Sequence, residues 1–272
     1  MAFENEGFFS PDIDRFRAEV RALPECKVWF DYAEDLNRIG LAMLKGHEAP
    51  LHDRQRFLIS LFFIRAHESF QAAILLAERG LIGDARTVAR SAVESAIALI
   101  AVAADSSFPD QLIAAHRKQQ LTVANLILGD ADYRDCLSQD EVAKAEVLAA
   151  EVEALKGHPE KAPKAINWAD VANKHCKDLY HVLYRMLSAD GTHATVVALD
   201  RYVEADANMQ ITALKFGPVK AGIVDTTSAA SLTFIWAALH FAHAFGKNDM
   251  VKRIEQSHQR FIELPRAEPK QE

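Results

Sequence analysis

Residues 51–104 constrain the fold more than any other stretch, because they read as two long apolar helical segments interrupted once, at Gly80-Leu81-Ile82-Gly83. In the first, from about Leu51 to Arg79, residues Phe57, Leu58, Leu61, Phe62, Ile64, Phe70, Ile74, Leu75 and Leu76 leave no wide polar face. A helix apolar all round belongs at the centre of a bundle. Gly80 is placed to end it and Asp84 to cap the next, so the two are expected to pack as an antiparallel helical hairpin. The expected fold class is therefore all-α, a multi-helix bundle built around a long hairpin at about 51–104.

The second arm of that hairpin carries charge where apolar residues would be expected. Arg86, Arg90 and Glu94 stand four residues apart and share one side of the helix, while Val88, Ala89, Ala92, Val93, Ala96 and Ile97 cover much of the rest. Charges kept in such a place are paired or used. Arg preceding Glu by four residues is the weaker order for a pair within one helix, so partners on other helices are expected. In the hairpin, the polar interruption Arg65, His67, Glu68 and Gln71 would lie opposite the middle of the second arm, bringing Glu68 or His67 toward Arg90 or Glu94.

Elsewhere helical periodicity dominates, with glycines and prolines where helices should stop. Helices are expected from Ser10-Pro11-Asp12 to Ala22, from about Val28 to Lys45, Pro109 to Leu128, Ser138 to Lys156, Asn167 to Leu187, Thr226 to Phe245 and Asn248 to Phe261. Ser138 and Glu141 have capping-box spacing. Ser188 to Thr195 breaks the helical pattern, and 209–216 alternates loosely enough to be one short β element. The expected organisation is a single helical domain over 1–263, with a subdomain joint at 157–166 and a disordered tail at 264–272.

The net charge of −7 argues against indiscriminate nucleic-acid binding. Cys26, Cys136 and Cys176 lack metal-ligand spacing and fit free, buried thiols in a reducing, cytoplasmic setting. The acidic N-terminal stretch does not read as a secretion signal, and the most apolar runs, Leu58 to Ile64 and Ala96 to Ala104, are too short to cross a bilayer. No membrane association is expected. There is no phosphate-binding glycine loop and no nucleophile elbow, so no cofactor is implied. His240, His243 and the Glu255-x-x-His258 turn have spacings that metal ligands can use, but only one Glu-x-x-His occurs where a di-iron site needs two, so no metal is expected.

Ile64-Arg65 with Glu68, Gly80-Leu81 with Asp84-Ala85, Ala89-Arg90-Ser91 with Glu94, and Tyr184-Arg185-x-Leu187-Ser188 with His193 together resemble a bacterial family of uncharacterised helical proteins, domain of unknown function 5677. The likeness covers roughly Leu51 to Pro218. It implies that Arg90, Glu94, Ser188 and His193 belong to one site. A more general look is similar to HEPN-type helical ribonucleases, which pair an Arg and a His near a helix end. The seven residues between Arg185 and His193 are a longer spacing than that motif uses.

Two functions are therefore carried forward. In the first, an enzyme, Arg90, His193 and Glu94 form the catalytic set, His193 as acid or base around neutrality. Arg86, Glu68, Tyr184 and Ser188 would help hold an anionic ligand, RNA being the specific candidate. In the second, a non-catalytic module of a regulatory or defence system, the same charges only lock the bundle. Partners expected are a second copy of the chain and either a protein or an RNA.

Overall fold

The computed structural model describes residues 2–154, 164–191 and 196–265. It is all-α apart from one small hairpin. Helix α1 spans Ala2–Glu6, α2 Asp12–Ala22, α3 Pro24–Leu44, α4 Arg54–Ala77 and α5 Ile82–Ala104. There follow α6 Phe108–Gly129, α7 Ala131–Asp135, α8 Gln139–Ala154 and α9 Trp168–His175. A π-helix, Leu179–Tyr184, runs into α10 Arg185–Gly191, and α11 Val196–Leu199 precedes the strands β1 Val203–Ala205 and β2 Ile211–Leu214. Helices α12 Ile223–Ala244 and α13 Asn248–Glu263 complete the order.

The chain divides into two compact units, residues 1–104 with 172–272, and residues 105–171. The segment 157–166 falls inside the second unit, and its first part lies outside the described residues.

In the first unit, α4 and α5 pack antiparallel as the sequence predicts, and α12 lies against both. Asp53 caps α4 by accepting from Arg56 N at 3.0 Å. Helix α5 begins at Ile82, two residues before the expected cap, so Asp84 sits in its first turn. There its negative charge still complements the helix N-terminus. Gly80 takes φ 75°, and a β-carbon on it would stand 2.6 Å from the backbone nitrogen of Val219.

Aromatic rings fill the seam between α4 and α12. Phe63 stacks on Phe241 with centroids 4.1 Å apart, and Phe234 stacks on both Phe70 and His67 at 4.9 Å. All are buried. Helix α4 is not buried all round, because Leu61, Ile64 and Leu75 are exposed.

By length and composition alone, α4 and α5 are apolar enough to cross a membrane. The short runs of highest apolarity conceal this, since a window that tolerates one or two charges is longer. The most apolar window of α5 is 61% buried within the fold.

Helix α3 packs on α12 and α13. Trp29 donates to Pro265 O at 2.9 Å, and Tyr32 to Ser257 O at 2.9 Å. Burial pushes the Tyr32 phenol up to about 12.

The expected extended piece at 209–216 is real in β2, but it has a partner that the sequence reading missed. Residues Val203 and Glu204 pair with Leu214 and Ala213, and a bulge follows. A strand needs a neighbour for its backbone groups, so β2 alone was an incomplete reading. In the second unit α6 and α8 pack together, and Ser138 caps α8 as expected, exchanging bonds with Glu141.

Candidate functional site

Two polar clusters stand in the first unit. The first surrounds Arg90. Its Nη2 donates to the Tyr184 hydroxyl at 2.6 Å and lies 3.2 Å from Glu94, while the guanidinium sits 4.6 Å from the centre of the Tyr184 ring. The Arg90 side chain is 18% exposed and that of Glu94 38%. The pair inside α5 therefore forms despite its weaker order, because Tyr184 fixes the arginine from the other side.

Tyr184 is placed for this by the π-helix. One extra residue per turn re-aims the side chains at its end, and such segments recur at functional sites. Tyr180 stacks on Tyr184 at 4.8 Å and stiffens the platform. Within this frame the Arg90 Nε is buried and has no hydrogen-bond partner among the described residues. An orphaned buried donor costs about 1–3 kcal/mol, so stability alone does not explain the arrangement.

The other predicted site residues divide. Arg86, one turn before Arg90, donates through Nε to Thr226 on α12 at 3.1 Å. Ser188 donates to Tyr184 O at 2.6 Å, a bond within its own helical stretch. Glu68 is exposed on α4 and makes no hydrogen bond or ion pair to the cluster among the described residues. His193 lies outside the described residues. The structure thus brings together Arg90, Glu94 and Tyr184, with Ser188 adjacent, and leaves Glu68 apart.

His67 also turns away from Arg90. It is buried and shares a 2.7 Å hydrogen bond with Asn37 Oδ1 on α3. Burial lowers its pKa. The expectation that the polar interruption of α4 joins the charges of α5 fails for this reason, since α4 presents His67 toward α3 and α12.

The second cluster was not foreseen. Glu78, just past the end of α4, is 1% exposed and pairs with two arginines of α2. Arg17 Nε binds it at 2.6 Å, and Arg21 Nη2 binds its other oxygen. Arg21 Nη1 also reaches Glu34 on α3 at 2.7 Å. Burial opposes the charge of Arg21, but Glu78 and Glu34 outweigh it and raise its pKa. The available signal was the spacing of Arg17 and Arg21 by one helical turn, with Glu78 beside a buried glycine turn.

The family of unknown function DUF5677 matches residues 56–210, more than half of the chain. The chain belongs to this family. The DUF5677 match contains Arg90, Glu94, Tyr184, Ser188 and Glu78, whereas Arg17, Arg21 and Asn37 lie before it. No curated protein and no solved structure matches the chain.

The remaining candidates carry less. His240 stacks with Trp236, its pKa lowered by burial and by His243. His258 lies against Phe261. Among the described residues no three His, Cys, Asp or Glu side chains are grouped to hold a metal ion. Cys26 is buried and Cys176 half-buried, its thiol pushed up to about 12 by burial, but Cys136 is exposed, contrary to expectation.

Proposed function

We propose that the Arg90–Glu94–Tyr184 cluster is the functional site of this DUF5677 member and that it binds an anionic group. The carrying observation is the state of Arg90: a guanidinium clamped by a ring and a hydroxyl, with a buried Nε–H left without a partner among the described residues. Preorganised donors of this kind bind phosphate or carboxylate at low entropic cost. Glu94 orients the arginine. In the more specific form, His193 supplies acid–base chemistry and the anion is the backbone phosphate of single-stranded RNA. Only a general likeness to HEPN-type ribonucleases suggests that form, and the Arg185–His193 spacing departs from their motif.

The second reading is a non-catalytic regulatory or defence module. It is favoured by Ser188, whose hydroxyl is already used on Tyr184 O. Under either reading we propose a cytoplasmic protein. The exposed Arg54, Arg56 and Arg65 of α4 suit water better than lipid, and its buried His67 and Ser60 suit a protein core. We also propose a homodimer sharing the exposed Leu61 and Ile64 of α4.

Single-stranded RNA cleavage by wild type and His193→Ala, with melting curves of both, tests the enzyme form. It predicts abolished cleavage at nearly unchanged melting temperature. RNA neither bound nor cut by the wild type would remove that form and leave the module.

A further inference from the structure

A cavity of about 410 Å³ lies between α2, α3 and α4, lined by Arg17, Arg21, Glu34, Asn37, Gln71 and Glu78 on its polar side. Phe70, Ile74 and Leu75 supply an apolar side. Its size is in the range of small-molecule sites. It shares no residue with the Arg90 cluster.

The polar groups are set by a relay from buried His67 to half-buried Asn37 and Gln71. Asn37 Oδ1 can only accept, so His67 carries its proton on Nε2 and donates at 2.7 Å. Burial lowers the pKa of that imidazole and so favours its neutral form. Gln71 Nε2 donates to the same oxygen at 2.9 Å. Gln71 is therefore left with Oε1 as an acceptor and Asn37 with its Nδ2 amide as a donor.

The arginines are set in the same way. Glu78 takes Arg17 Nε and Arg21 Nη2, which leaves the Arg17 Nη groups without a bond among the described residues. Arg21 Nε is buried and has no hydrogen-bond partner among the described residues. Glu34 receives Arg21 on one oxygen and keeps the other 3.9 Å from Arg38. Two arginines and two glutamates make the cavity neutral as a whole while separating donors from acceptors within it. Such a cavity fits a ligand that is itself neutral overall but carries both charges, attached to an apolar body.

We propose that this cavity binds a free apolar α-amino acid of leucine or phenylalanine size. The Arg17 guanidinium and Asn37 Nδ2 hold its carboxylate, Glu34 and Gln71 Oε1 its ammonium, and Phe70, Ile74 and Leu75 its side chain. Glu78 does not touch the ligand; it holds the arginines.

Isothermal titration of the full chain with leucine, phenylalanine, N-acetylleucine and leucinamide tests this. Leucine and phenylalanine bind, and the two blocked forms, each lacking one charge, bind at least ~10-fold more weakly, as expected for loss of one charge-assisted bond. Glu34→Gln, at a position whose side chain is 44% exposed, weakens leucine by a similar factor. Leu75→Ala weakens it several-fold without altering the preference for the free amino acid. Failure of wild type to bind either amino acid at millimolar concentration overturns the proposal. So does binding of N-acetylleucine or leucinamide as tight as that of leucine, or unchanged leucine affinity in a folded Glu34→Gln protein.

Discussion

Arg90 donates to the Tyr184 hydroxyl at 2.6 Å and lies 4.6 Å from the centre of the same ring, so one residue of the π-helix holds the arginine by both its edge and its face. The two contacts are separable. Tyr184→Phe removes only the hydroxyl and is expected to cost about 1 kcal/mol in urea unfolding. Tyr184→Ala removes the ring as well and should cost clearly more, since the cation–π contact adds about 1 kcal/mol and ring burial adds further.

Glu78 is the test of the buried ion cluster. Glu78→Gln leaves Arg17 and Arg21 facing a neutral amide. Breaking a fully buried pair costs about 3–5 kcal/mol. Because the two arginines are 37% and 32% exposed, water offsets part of this, and about 2 kcal/mol is expected. The urea midpoint should fall without a change in slope.

Gly40 pits local propensity against packing. Alanine is favoured over glycine in a helix by about 1 kcal/mol. Here a β-carbon would stand 2.7 Å from Phe234 Cζ and 2.9 Å from His67 Nε2. Overpacking of this kind costs about 1–3 kcal/mol, so Gly40→Ala should destabilise the protein and disturb the His67–Asn37 bond. A rise in melting temperature would contradict the packing described.

Stability should also fall on acidification through the histidine range. In the unfolded chain a histidine takes up its proton near pH 6.5. Burial holds His67 and His240 below that in the fold, and His47 likewise, with Lys247 adding to the effect. Between the folded and unfolded values the unfolded chain binds more protons, so unfolding free energy rises with pH there. The contribution is complete above about pH 6.5 and is lost as pH drops below it. Urea midpoints from pH 7.5 downward should show this fall, and His67→Gln should flatten it.

The hairpin of α4 and α5 was legible because an all-apolar segment stopped by a glycine allows few alternatives. Arg90 and Glu94 were legible as charges in an apolar helix. Their companion was harder to place: Tyr184 stood in the sequence near Ser188, but its approach to Arg90 depends on a π-helical turn that no local pattern announces. Glu78 was missed because its partners, Arg17 and Arg21, lie more than fifty residues away on α2, and sequence spacing carries no such distance. His67 was assigned to the wrong neighbour for a similar reason. Helical phase says which residues share a face, but not which of two flanking helices that face meets.

The most direct measurement is the affinity of wild type and Arg90→Lys for a short single-stranded RNA, set beside that for inorganic phosphate and beside the urea midpoint of each protein. Lysine keeps the charge but not the planar donor set that stacks on Tyr184. The account predicts that the wild type binds at least one of these anions and that Arg90→Lys weakens it about tenfold or more, while lowering stability by no more than the roughly 1–2 kcal/mol that the Tyr184 contacts supply. Equal anion affinity in the two proteins, or a lost midpoint with no anion bound by the wild type, would show that Arg90 only locks the bundle.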